Sequence, residues 1–246
     1  MQAGRPKNAL LQSLADEDWS RLQAELQTIT LNGREVLAEM GDPVDWVTFP
    51  ETGLISIISI LESGAEVETS IVGREGAVGF VEALGSGTMH SRLLVQIPGD
   101  AYRIRATAFR SAFRESHEMQ RAVHQQVELL QAESRLAIAC HTLHPVEARL
   151  CRWLLECRDL SGTSAPMPLS QELLAVMLAV RRTTVTRFAS TLQAKGLIRY
   201  TRGMIEIIDS AGVERRACEC RATLEELRGE MAPQTFSRDK GSKAAI

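Results

Sequence analysis

The segment Leu169-Ser-Gln-Glu-Leu-Leu-Ala-Val-Met-Leu-Ala-Val-Arg-Arg-Thr-Thr-Val-Thr-Arg187 constrains this chain more than any other. Leu173, Leu174, Met177, Val180, Val185 and Phe188 recur near helical spacing, but a pair of arginines interrupts the run. Two short helices joined by a tight turn satisfy both facts. The apolar set holds the pair to a core, and Ser170 stands where it can cap the first helix. The second helix opens with Arg181, Arg182, Thr183 and Thr184 and carries Arg187 one turn later. Long cationic and hydroxyl side chains at a helix start reach base edges and phosphates in a DNA major groove. The expected partner is double-stranded DNA, and the rest of the chain becomes a candidate sensor.

The flanks extend this unit. The second helix is predicted to run to Lys195, with Gly196 as its stop. Residues 197–200 and 204–208 read as a hairpin turning at Arg202-Gly203, which makes a winged helix-turn-helix. Helices are predicted over 146–158 and 211–228, with a loop at 161–168 between the first of these and the motif. The net charge of −3 does not suggest a nucleic-acid binder. Residues 146–221, however, hold twelve Arg and Lys against eight acids, a local +4 on an otherwise acidic chain. Lys195 and Arg202, with Ser170 and Thr184, are further candidates for phosphate contact.

Upstream the pattern changes twice. Leu10, Leu11, Leu14, Trp19, Leu22 and Leu26 predict a helix over 10–29. From 31 to about 105, short β-rich pieces (44–49, 53–61, 65–71, 92–97 and 101–104) alternate with glycines, as in a small barrel or sandwich. A long helix is predicted over 119–140, ended by His144-Pro145. Along it Val123, Val127, Leu130, Ser134 and Ala137 form a heptad seam with small later members, suited to a second copy of the helix. The same face could instead pack on the chain's own barrel. The fold class is α+β, with a sensor domain at 10–118, a dimerisation helix at 119–144, a winged domain at 145–228 and a tail at 229–246.

A glycine-punctuated β-roll, a long helix and a winged helix-turn-helix, in that order, resemble the Crp/Fnr family of bacterial transcription regulators. The resemblance spans roughly residues 10–225. It is strongest at Gln171-Glu172, at Arg181-Arg182-Thr183-Thr184-Val185-x-Arg187 and at Leu192-x-x-x-Gly196-Leu197-Ile198. Val72-Gly-Arg-Glu-Gly-Ala-Val-Gly79 resembles a branch with an altered nucleotide cassette. The resemblance implies a homodimer that sets one helix per subunit into a major groove, with half-sites about one helical turn apart. RNA polymerase is a further expected partner. Arg182 and Arg187 fall where the family uses arginines, while Thr183 replaces a glutamate and should alter the operator. Ala179 stands where a turn glycine is usual, at little cost if its φ is negative.

The family's nucleotide pocket uses a glutamate after a glycine and an Arg-Ser pair. Here Gly76 is followed by Ala77, and the nearest match to the pair is His90-Ser91, with Arg92 on the far side. A phosphodiester buried without its cation is costly, so cyclic AMP is not the expected effector. The loop 85–92 offers N–H groups and Arg92 to an anion, although a solvated turn explains it better. Glu66, Glu68, Glu75 and Glu82 read as solvated residues rather than an acid–base pair. The five cysteines, an odd number, imply thiols. Cys140-His141-x-x-His144 and Cys218-Glu-Cys220 read as packing residues, the latter too closely spaced for a metal clip, so no metal or cofactor is expected. His90, His117 and His124 are haem ligands by residue type only. No catalytic fingerprint appears, so an enzyme is not expected. Neither a leader segment nor a spanning run is seen, and the expected location is the cytosol. The competing reading is an interaction module whose winged helix packs on protein.

Overall fold

The computed structural model describes residues 6–162 and 166–231. Asn8 caps α1 (Ala9–Gln12) by accepting from the Leu11 N–H. Its buried amide also donates to the Pro50 and Gly76 carbonyls at 2.9 and 2.7 Å. After a break, α2 (Asp16–Gln23) begins with Asp16, Glu17 and Asp18, where carboxylates complement the helix dipole. The one helix expected over 10–29 is therefore two, and Gln27-Thr-Ile-Thr-Leu31 is already strand β1 (Gln27–Leu31). Its run of β-branched residues, Thr28, Ile29 and Thr30, outweighs the helical period at that end.

Strands β2 (Val36–Ala38), β3 (Trp46–Pro50), β4 (Leu54–Ile60) and β5 (Glu66–Val72) follow. Then come the short helix α3 (Phe80–Leu84) and strands β6 (Arg92–Ile97) and β7 (Gly99–Arg105). They form two antiparallel sheets, ordered β1-β7-β3 and β2-β6-β4-β5. Leu31, Val47, Phe49, Ile55, Val95 and Ile104 fill the space between them. Phe109 of α4 (Ala106–Glu115) and Met119 and Val123 of α5 (His117–Leu143) join the same core. Ser116 caps α5, and His144 leaves it in extended geometry (φ −100°, ψ 144°), as a residue before proline must.

Past Pro145 lie α6 (Val146–Ser161), α7 (Gln171–Leu178), α8 (Arg182–Ala194), β8 (Ile198–Thr201) and β9 (Met204–Ile207). Two further helices, α9 (Ser210–Glu214) and α10 (Cys220–Met231), replace the single helix expected over 211–228. The expected tail starts late, because α10 continues to Met231; residues 232–246 and part of the 161–168 loop lie outside the described residues. Among the described residues no helix is long and apolar enough to cross a membrane.

The second core, built on Leu150, Leu154, Leu174, Met177, Val185 and Leu192, also takes in Leu54, Ile71 and Ile97 of the roll. The domains thus share an apolar seam, and it encloses Glu68. Trp153 Nε1 donates to Glu68 Oε1 at 2.8 Å, and Ser56 Oγ lies 2.6 Å from Oε2 and 2.8 Å from Gln96 Oε1. One hydroxyl proton cannot serve both oxygens. A protonated Glu68 resolves this by donating to Ser56, which then donates to Gln96. Burial pushes the Glu68 carboxyl up to about 8, against the hydrogen bond from Trp153 that favours its charged form. Glu75, whose Oε2 is sealed from solvent, is pushed up to about 7, again by burial. The expectation of solvated carboxylates is overturned for Glu68, which the seam covers, and for the sealed Oε2 of the half-buried Glu75.

Candidate nucleic-acid interface

Ser170 caps α7 by accepting from the Leu173 N–H at 3.2 Å. The helix closes at Ala179, whose φ of 50° and ψ of 46° are left-handed. The condition for a low cost, a negative φ, is therefore not met, and alanine bears a cost of about 1–2 kcal/mol that glycine would not. Arg149 of α6 donates to the Leu178 carbonyl at 3.1 Å, tying the turn to the domain core. Arg181 then enters α8 with extended backbone. Val185, Ala189 and Leu192 face inward, while Arg181, Arg182, Thr183, Thr186 and Arg187 are exposed and Thr184 is half-buried. A helix with one apolar stripe and one cationic, hydroxyl-bearing face is what groove reading requires.

The cations differ in their surroundings. Arg182 Nη1 lies 2.8 Å from Glu172 Oε1, and its Nε is 3.4 Å from Gln171 Oε1. Thr186 Oγ1 donates to that same Gln171 oxygen at 2.8 Å. Thr186 is not singled out by the sequence, and Gln171 enters there through the family resemblance and not as a contact. Position was the available signal, since Gln171 follows the cap and Thr186 lies one turn beyond Arg182. Arg187 lies 4.7 Å over the Phe188 ring, which holds the guanidinium against the helix. The wing turns through Arg202 and Gly203, with φ of 52° and 78°, the paired left-handed geometry of a tight hairpin. Arg199–Glu206 at 2.7 Å braces its strands. Arg181, Arg187 and Arg202 have no ion pair among the described residues. Lys195 lies 3.8 Å from Glu147, which Arg216 shares at 3.2 Å.

Four of the residues expected to line a ligand pocket are engaged elsewhere. Gly76 is packed so tightly on α5 that a Cβ would lie 2.5 Å from Gln126 Nε2, and Ala77 is buried in the roll core. His90 is bonded to Ser86 instead. Arg92 meets Glu39 at 2.9 Å and Glu66 at 2.6 Å, and the Glu39 bond chiefly raises its pKa. With two carboxylates on one guanidinium, the anion site considered for the 85–92 loop is not formed; Ser91 beside it gains no cationic partner.

The seam of α5 in part takes the alternative considered for it, packing on the chain's own roll. Val123 is buried in the chain's own roll, and Val127 and Leu130 pack against the same core. Ser134 Oγ bonds back to the Leu130 carbonyl at 2.7 Å, and Ala137 faces a small cavity beside Trp153. Outward-facing apolar groups lie farther along, at Ile138 (69% exposed) and Leu143 (76%).

The comparisons agree with this architecture. Residues 28–116 match the model of the cyclic nucleotide-binding domain, and residues 148–216 match the Crp-like helix-turn-helix domain. No curated protein matches by sequence. Among solved structures, the chain is similar to the c-di-GMP-responsive global regulator CLP of Xanthomonas campestris (17% identity, 78% of this chain and 99% of that one, TM-score 0.64). It is similar to FixK2 of Bradyrhizobium japonicum (15%, 78% and 98%, TM-score 0.66). A CRP-family transcriptional regulator of Thermus thermophilus is similar as well (20%, 77% and 96%, TM-score 0.66). With both domain models matched in the order that the fold displays, the chain belongs to the Crp/Fnr family of transcription regulators, a family of regulators rather than of enzymes.

Proposed function

We propose that this regulator reads DNA sequence as a homodimer, setting two copies of α8 into major grooves of a two-fold symmetric operator. The observation that carries the reading is the outer face of α8. Arg181, Arg182, Thr183 and Arg187 project from a helix whose other face is buried, and Arg202 stands exposed at the wing tip. Arg182 and Arg187 are the candidates for base contact, held at fixed aim by Glu172 and Phe188. Arg181, Arg202 and Lys195 are placed for phosphates. The exposed Ile138 and Leu143, with Ala139 between them, offer the second copy of α5 an apolar strip near the winged domain. RNA polymerase is the further partner this function implies.

The roll does not use cyclic AMP in this reading, since Ala77 supplies no carboxylate for a ribose and Arg92 is already neutralised. Thermal melting that stays unchanged across cyclic AMP, cyclic GMP and cyclic dinucleotides is the expected result. Selection from a random duplex pool with purified protein tests the main reading. A two-fold symmetric motif is expected. An asymmetric motif would remove the dimer, and absence of enrichment, with or without a small-metabolite extract, would remove DNA reading itself.

A further inference from the structure

Cys140 and His144 lie one turn apart at the end of α5. Cys218 lies in the break between α9 and α10, and Cys220 opens α10. The fold brings all four together. Cys140 Sγ is 3.6 Å from Cys218 Sγ, Cys220 Sγ is 3.5 Å from His144 Nδ1, and all four potential ligand atoms lie within 4.8 Å of one another. The three cysteines are buried in a small cluster of their own, apart from both main cores. We propose that Cys140, His144, Cys218 and Cys220 are a tetrahedral zinc site that clips the C-terminal segment to the end of the long helix.

The spacing fits the ion. Zinc–sulfur bonds of about 2.3 Å and a zinc–nitrogen bond of about 2.0 Å set tetrahedral edges of about 3.8 Å between sulfurs and about 3.5 Å between sulfur and nitrogen. A disulfide needs sulfurs about 2.05 Å apart and would leave Cys220 and His144 unexplained. An iron–sulfur cluster places several atoms between its ligands, and this cage holds one ion. The surroundings fit as well. The other ring nitrogen of His144, Nε2, lies 3.5 Å from Glu219 Oε1, the carboxylate–histidine arrangement that orients a metal ligand. Three thiolates on a divalent ion leave one net negative charge, and Arg149 and Arg152 stand close enough to interact with it.

From sequence, Cys140 and His144 read as core or surface residues, and Cys218-Glu-Cys220 as too closely spaced for a clip, with side chains that diverge on a continuous helix. The break after α9 removes that objection. The site lies beside Pro145, where α5 gives way to α6, so it ties the far end of the winged domain to α5. It stands whether or not α8 reads DNA.

The test uses full-length protein purified under reducing conditions with zinc supplied during expression. Elemental analysis is expected to find one zinc per chain. Cobalt added to the chelator-stripped protein is expected to give the intense visible bands of tetrahedral coordination and a thiolate charge-transfer band. Cys218→Ser/Cys220→Ser is expected to lose both signals. Glu219→Gln is expected to keep the metal with affinity lowered about 10- to 100-fold. If the double variant does not fold, the cobalt spectrum of the parent chain decides alone. A weak octahedral spectrum, absorbance of an iron–sulfur cluster, or a Cys140–Cys218 disulfide with no metal uptake after reduction would each overturn the proposal.

Discussion

Arg149, Arg152 and Arg221 are buried within the winged domain, each held by carboxylates or a carbonyl. Arg181, Arg187 and Arg202, from the same stretch of sequence, are exposed and have no ion pair among the described residues. Both sets contribute equally to the +4 of residues 146–221, yet only the second can act on a phosphate. Two of the buried set are cancelled where they stand: Arg152 Nη1 meets both Glu156 oxygens at 2.9 and 2.7 Å, and Arg221 meets Asp159 at 2.6 Å as well as Glu225, while Arg149 is turned inward onto the Leu178 carbonyl. Burial, rather than charge count, therefore separates arginines that hold the domain from arginines that address a ligand. If this division is correct, substitutions in the two sets should fail in different assays.

The largest effect is expected from Arg152→Ala. It leaves Glu156, 2% exposed, without its partner, and unfolding free energy should fall by about 3–5 kcal/mol in denaturant melts. A loss below about 1 kcal/mol would mean that the pair is dispensable and the contrast overstated.

Glu68 sharpens the buried side. Its folded pKa, raised to about 8, lies above the ordinary value of 4.5, so between these the folded chain binds a proton that the unfolded chain has lost. Stability should then fall as pH rises from about 4.5 to about 8, at about 1.4 kcal/mol per unit for this group. Below that window both states are protonated, and its contribution is complete. Glu75 titrates across much of the same range. Glu68→Gln keeps a donor for Ser56 and an acceptor for Trp153, so it should flatten only the Glu68 share of the slope. Parallel curves for parent and variant would show Glu68 ionised when folded.

On the exposed side, Arg182→Ala should cost about 1–3 kcal/mol of operator binding and relax preference at one base position, with a nearly unchanged melting curve. Equal weakening on every sequence would make it a phosphate contact. Smallest is Ala179→Gly, which relieves the left-handed alanine at the α7–α8 turn. A gain of about 0.5–1 kcal/mol in stability is expected; a loss would place alanine's conformational restriction above its strain.

Much of this division was legible beforehand. The winged motif, the order of its parts and the altered cassette are local patterns, and residues 169–203 folded as their periodicity predicted. What was not legible depended on the packing of distant segments. Val123, Val127 and Leu130 have the right spacing for either a dimer seam or a roll-facing stripe, and spacing cannot choose between them. Glu68 alternates like a solvated strand residue until α6 and Trp153 cover it. Arg92 seemed free for an anion because Glu39 lies 53 residues away. The Cys140–His144 spacing was visible, but its partners are brought in by a helix break that the pattern over 211–228 does not announce.

The most direct test of the exposed set is the salt dependence of affinity for the enriched duplex, measured for the parent chain and for Arg181→Ala and Arg202→Ala. A steep linear fall of log affinity with log salt is expected, with a slope reduced by about one for each phosphate contact removed. A shallow slope that neither substitution changes would contradict this, since the exposed arginines would then not meet DNA.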